Sequence, residues 1–141
     1  MNWQELSTTS HYQTALKVEN ELLSGNIKNA AAGIRALIEA LGRSEKRALK
    51  SQLIRLMMHV IKWKMQPERR SRSWAASICN AREEISDIQE ETPSLSDSVI
   101  KNMWDKCFKA AKREAEGEMN KKVLIDDLSW EDVFESGCEF E

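Results

Sequence analysis

Two prolines and five glycines punctuate 141 residues. A β-rich domain turns often, and its turns draw on both residue types. A chain this poor in either has long stretches to fill without interruption. In those stretches the apolar residues recur at spacings of three and four, the period of an amphipathic helix. The expectation is an all-α, single-domain bundle of about five helices with short loops. Residues 1–122 would form the helical domain and 123–141 an acidic tail with one short helix.

The helices follow from the periodicity and its stops. Ala15, Val18 and Leu22 predict a first helix over 9–23, closed by Gly25. Asn26 is the expected cap of a second, with Ile27, Ala30, Ala31, Ile34, Leu37, Ile38 and Leu41 as its apolar set and Gly42 as its end. Ser44 would open a third. Leu49, Leu53, Leu56, Met57, Val60 and Ile61 make it the clearest and most buried element, and Pro67 stops it near Met65 or Gln66. A fourth spans about 71–89 with Trp74, Ile78, Ile85 and Ile88 inward. Pro93 precedes a fifth, capped by Ser94 or Ser96, carrying Val99, Met103, Phe108 and Ala111 to about Glu118. In the tail, Ser129-Trp130-Glu131-Asp132 has the form of a helix cap and acidic first turn.

Hydrophobic residues make up 41% of the chain, enough to fill a core and to argue against bulk disorder. No run of about 18 apolar residues is present, so no membrane span is expected, and residues 1–10 lack the apolar stretch of a secretory leader. Cys79, Cys107 and Cys138 are odd in number, far apart and outside any CxxC pair. That argues against zinc and against a disulfide framework. A reducing cytoplasm is the expected setting, with Cys79 and Cys107 as core thiols. Met57, Met58 and Met65 suit a core or a dimer equally, so the oligomeric state stays open.

The net charge of −2 conceals a polarity. Every Lys and Arg lies at or before Lys122, and seven acids follow it. Between Arg43 and Arg82 stand eleven bases and two acids, Glu45 and Glu68. Such a separation attracts polyanions, or lets the tail cover the body.

The residues with chemical potential cluster in 55–74. Arg55, His59 and Trp63 stand four apart and share a helix face bordering the apolar stripe. His59 should therefore be half-buried. It is the one candidate acid–base group, against the plainer role of a core-edge histidine. Arg69, Arg70 and Arg72 precede or open the fourth helix, where guanidinium forks and helix amides together suit phosphate or carboxylate; the alternative is pairing with Glu39, Glu83, Glu84 or tail acids. Trp63 and Trp74 bracket them, as stacking platforms or as core anchors. Neighbouring acids such as Glu83-Glu84 diverge on a helix and read as surface. Lys109 should pair with Asp105 one turn away. No nucleophile partner, HExxH, P-loop or GxGxxG occurs, so neither a metal nor a cofactor is expected.

Leu41-Gly42-Arg43-Ser44-Glu45-Lys46-Arg47, then Met58-His59-Val60-Ile61-Lys62-Trp63, then Gln66-Pro67-Glu68-Arg69-Arg70-Ser71-Arg72-Ser73-Trp74, then Thr92-Pro93-Ser94-Leu95 together resemble domain of unknown function family twenty-nine. This bacterial family is matched in order and spacing over roughly residues 8–135. The resemblance implies an all-α fold and a bacterial source, and it supplies no activity and no catalytic residue. His59, Trp63, Pro67, Arg69, Arg70, Arg72 and Trp74 fit the family pattern. One departure stands out: relatives tend to be acid-rich before the glycine-arginine step, whereas here Glu39 is the lone acid, which leaves more arginine charge unpaired.

Three readings follow. The first is a protein-interaction or regulatory module, partnered by another bacterial protein, with the tail residues Trp130, Phe134 and Phe140 as a docking peptide. The second is nucleic-acid or polyanion binding through 43–82, against which the sequence pI of about 5.8 weighs. The third and weakest is a phosphate-ester enzyme using His59 and the arginines.

Overall fold

The computed structural model describes residues 2–137, and Cys138 and Phe140 lie outside them. Among the described residues there is no strand. Six α-helices are present: α1 (Trp3–Thr9), α2 (His11–Leu23), α3 (Ile27–Met65), α4 (Arg72–Glu91), α5 (Asp97–Asn102) and α6 (Trp104–Met119). A 3-10 turn, Pro67–Arg69, and a π-helical turn, Glu131–Glu135, complete them. The chain divides into two compact units, Met1–Arg47 and Ala48–Glu141, and α3 contributes to both.

The expected first helix, 9–23, is α2, and a further short helix, α1, precedes it. Thr8 and Thr9 donate their hydroxyls to the carbonyls of Gln4 and Glu5, both at 2.8 Å. Ser10 then turns extended (φ −154°, ψ 114°) and accepts from the Gln13 amide. A run of hydroxyl side chains thus offers the backbone alternatives to one continuous helix. Ser10 ends α1 and caps α2 in a single residue.

The break expected at Gly42 is absent. α3 continues for 39 residues, through both Gly42 and Ser44. A glycine inside a helix costs only about 1 kcal/mol relative to alanine, and with no proline nearby nothing stops the hydrogen-bond ladder. Asn26, expected as its cap, instead donates its side-chain amide to Glu21 at 2.8 Å, and with Asn29 it holds the Glu21 carboxyl below its ordinary pKa. The expected fifth helix divides at Met103, which adopts φ −98°, ψ 2°. That leaves six helices where about five were expected.

In the first unit α2 runs antiparallel to α3 after a tight turn at Gly25 (φ +82°). The contact face of α3 is made of small residues, with Ala30, Ala36 and Ala40 all buried. Gly33 lies against the Trp3 ring and Val18, and a Cβ there would sit 2.6 Å and 2.7 Å from their atoms. The small residues of α3 leave room for the Trp3 ring and the Val18 side chain to pack directly onto the helix.

The second unit holds the large core. Leu49, Leu53, Leu56, Met57, Val60 and Ile61 of α3 are all buried, as their stripe predicts. They pack in one cluster with Ile78, Ala81 and Ile85 of α4 and Cys107, Phe108, Ala111 and Ala115 of α6. Burial raises the Cys107 thiol pKa. Cys79, expected in the core, is exposed: it stands next to Ile78 and so about 100° off the buried stripe of α4. The segment after α6 also joins this core. Val123, Leu128 and Val133 are buried, and the Trp104 indole donates to the Leu128 carbonyl at 3.0 Å. Trp130 stacks on Trp104 with centroids 5.5 Å apart, and Phe134 packs against Trp130 at 4.4 Å.

Candidate functional site

The basic segment 55–74 begins in the last turns of α3. Met65 ends that helix, Pro67 opens the 3-10 turn, and Ser71 caps α4 by accepting from the Trp74 amide at 3.1 Å. A helix that ends in a solvated turn leaves carbonyls without partners. Arg70 supplies one: its Nε–H donates to the Trp63 carbonyl at 2.8 Å, and its guanidinium lies 4.8 Å above the Trp63 ring. A cation at a helix C-terminus is also favoured by the helix dipole. Trp74 is covered similarly, by the Lys62 ammonium at 4.8 Å, and Lys62 reaches Glu118 at 3.2 Å.

His59 is half-buried, as expected, and its hydrogen bond stays within its own helix. Its Nδ1 lies 2.9 Å from the Arg55 carbonyl, one turn back on α3. Because a carbonyl only accepts, Nδ1 carries the proton there. Arg55, Arg69 and Arg72 are exposed. The structure therefore joins Arg70 with Trp63 and Lys62 with Trp74, and it ties His59 to its own helix.

The tail meets this region through one ion pair. Lys64 and Asp132 are 3.2 Å apart. Ser129 and Asp132 cap each other, the Ser129 amide to the Asp132 carboxylate at 3.1 Å and the Asp132 amide to the Ser129 hydroxyl at 3.0 Å, which is the capping expected from the sequence. Partial burial opposes ionisation of Asp132. The Ser129 amide and hydroxyl and the Lys64 ammonium outweigh it and hold the carboxyl below its ordinary value. Arg82 adds a bond from Nε to the Val133 carbonyl at 2.8 Å. Val60, Trp63, Lys64, Ile78 and Asp132 line a cleft of about 210 Å³ there. Asp105 and Lys109 pair at 3.1 Å, as their spacing predicts. Among the described residues no group of three His, Cys, Asp or Glu side chains could hold a metal ion, and no helix is long and apolar enough to cross a membrane.

Arg70 yields a direct test. Arg70→Ala should cost about 1–2 kcal/mol, from a charged hydrogen bond and a cation–π contact. Arg70→Lys keeps the cation but loses the Nε–H and should recover part of it. Urea titration distinguishes this from an arginine held only for a ligand, whose loss would leave the midpoint unchanged.

The first unit holds what the sequence reading misplaced. Ile27, Ile34, Ile38 and Leu41, expected in a core, are exposed by 42% to 70%. Tyr12, Leu16 and Leu23 of α2 are exposed as well. The signal was present: α3 is apolar on two faces here, with Ala30, Gly33, Ala36 and Ala40 on one and the large aliphatics on another. A close-packed hairpin buries the small face and leaves the large one outside.

Residues 32–137 match the model of a family described as Domain of unknown function DUF29. The chain belongs to the DUF29 family. The match covers the end of the exposed stripe, the basic segment and the docked C-terminal segment of this DUF29 protein. No curated protein and no solved structure matches the chain.

Proposed function

We propose that this DUF29 protein is a protein-interaction module whose contact surface is the apolar face of its first unit. The observation that carries the reading is the exposed stripe on α3. Ile27, Ala31, Ile34, Ile38 and Leu41 alternate at spacings of four and three, the seam by which one helix receives another. Val18 meets Gly33, and His11 and Ala40 line one cavity, so α2 and α3 are antiparallel. On α2 the exposed Tyr12, Leu16 and Leu23 stand roughly opposite the buried Thr14 and Val18, on the outer side of the hairpin.

Ile27, Ile34, Ile38 and Leu41 are exposed along one row of α3, and contiguous exposed apolar patches mark contact sites.

The occupant is an amphipathic helix of another protein, acidic along its flank. Lys28, Arg35 and Lys46 recur on the flank of the α3 stripe, with Glu39 the one acid among them. Antiparallel self-pairing through this stripe would set those bases against one another. A helix bearing glutamates at the flanking positions is complementary.

Two synthetic amphipathic peptides with the same leucine seam, one flanked by Glu and one by Lys, test this by fluorescence anisotropy. The Glu-flanked peptide should bind at least about tenfold more tightly, and Ile34→Asp with Ile38→Asp should abolish its binding. Failure of both peptides to bind, or a dimer in solution that the same double substitution dissolves, would sink the assignment.

A further inference from the structure

From the arrangement on the other side of α3 we infer that the first unit also carries a binding site for a tetrahedral oxyanion of the phosphate class. Arg43 and Arg47 stand one turn apart on α3, roughly opposite the Ile27 stripe. Between them and the start of α2 lies a cavity of about 160 Å³, room for roughly five waters. Ala40 and Ser7, both buried, close it from within. No carboxylate lines it.

The donors that reach this cavity have nothing else to bind. Among the described residues, neither the Arg43 nor the Arg47 side chain makes an ion pair or a hydrogen bond, and the Ser44 hydroxyl has no partner. Two like charges one turn apart on a helix repel, and a bound dianion converts that repulsion into two charge-assisted contacts. The guanidinium fork matches the spacing of phosphate oxygens. Opposite stand His11, the first residue of α2, and Ser7 and Thr8 from the last turn of α1. A cavity, two unpaired guanidinium groups and a free hydroxyl converge on one place, and each is suited to the same ligand. The Thr8 hydroxyl donates to the Gln4 carbonyl at 2.8 Å, so Thr8 is a wall rather than a ligand donor.

The site is independent of the helix-binding face. Isothermal titration with inorganic phosphate and, separately, with O-phosphoserine tests it, with sodium chloride at matched ionic strength as the control. Saturable binding of the phosphate class above the chloride background is expected, weakened at least tenfold by Arg43→Gln with Arg47→Gln. Both side chains are exposed, so that variant should keep the helical circular-dichroism spectrum of the parent. Tighter binding of phosphoserine than of phosphate would assign the site to a phosphomonoester, and equal affinity to the free ion. No saturable heat above chloride, or binding that the double substitution leaves intact, would overturn the inference.

Discussion

Replacing Leu128 with alanine should lower the stability of the second unit by about 2–5 kcal/mol, the range for truncating a fully buried leucine. Leu128 is 1% exposed, and its carbonyl takes the Trp104 indole hydrogen, so a shift here also loosens the Trp104–Trp130 stack. The contrast lies four residues back. Leu124 is 82% exposed, and Leu124→Ala should change stability by no more than about 0.5 kcal/mol. Urea unfolding followed by tryptophan fluorescence measures both. If the segment after α6 were a free acidic peptide, the two substitutions would be equally silent. That outcome would refute the docked arrangement.

The second large effect belongs to Gly33. Gly33→Ala would gain about 1 kcal/mol of helix propensity, but its Cβ would lie 2.6–2.7 Å from the Trp3 ring and Val18. Neither neighbour is the far end of a flexible chain, so α1 and α2 must move. Overpacking of this kind costs roughly 1–3 kcal/mol, occasionally more. Gly42 has nothing within 4 Å of its hypothetical Cβ, and Gly42→Ala should stabilise by up to about 1 kcal/mol. Two identical substitutions nine residues apart on one helix are thus expected to have opposite signs. Thermal melts of both variants check this, and a stabilising Gly33→Ala would mean that α1 and α2 do not sit against α3 as described.

The two residues also show why the glycine at 42 misled a sequence reading. A glycine near a helix-length boundary and a following serine look like a stop and a cap. Neither is obligatory, because both residues adopt helical angles at small cost, and only a proline removes a hydrogen bond outright. Pro67 behaves as expected for that reason: α3 ends at Met65. At Ser10 the opposite happened. Four hydroxyl residues in a row, Ser7 to Ser10, compete for the backbone, and a helix that the apolar spacing did not announce ends there before α2 begins.

For the candidate segment, the sequence indicated the burial of its residues but not their partners. It placed His59 at the edge of the core and Trp63 and Trp74 among bases, and all three are half-buried. It could not tell that Arg70 folds back over Trp63, or that Lys62 covers Trp74. Those pairings depend on the path of the turn between α3 and α4, which periodicity does not encode. His11 drew no attention because its neighbours in the cavity, Arg43 and Arg47, are more than thirty residues away.

The sequence alone determined that the chain is helical, which stripe of α3 is most buried, where Pro67 stops it, how Ser129 caps its turn, and to which family the chain is similar. These are local matters, settled by spacing, caps and ring constraints within a few residues. The tertiary structure decided which of two apolar faces of α3 is covered, that the acidic segment is packed by Leu128 and Val133, and which arginines keep unpaired charge. Each of those is a competition between distant groups for the same surface. Close approach through Gly33 decides it in the first unit, and the volume left beside α3, α4 and α6 decides it in the second.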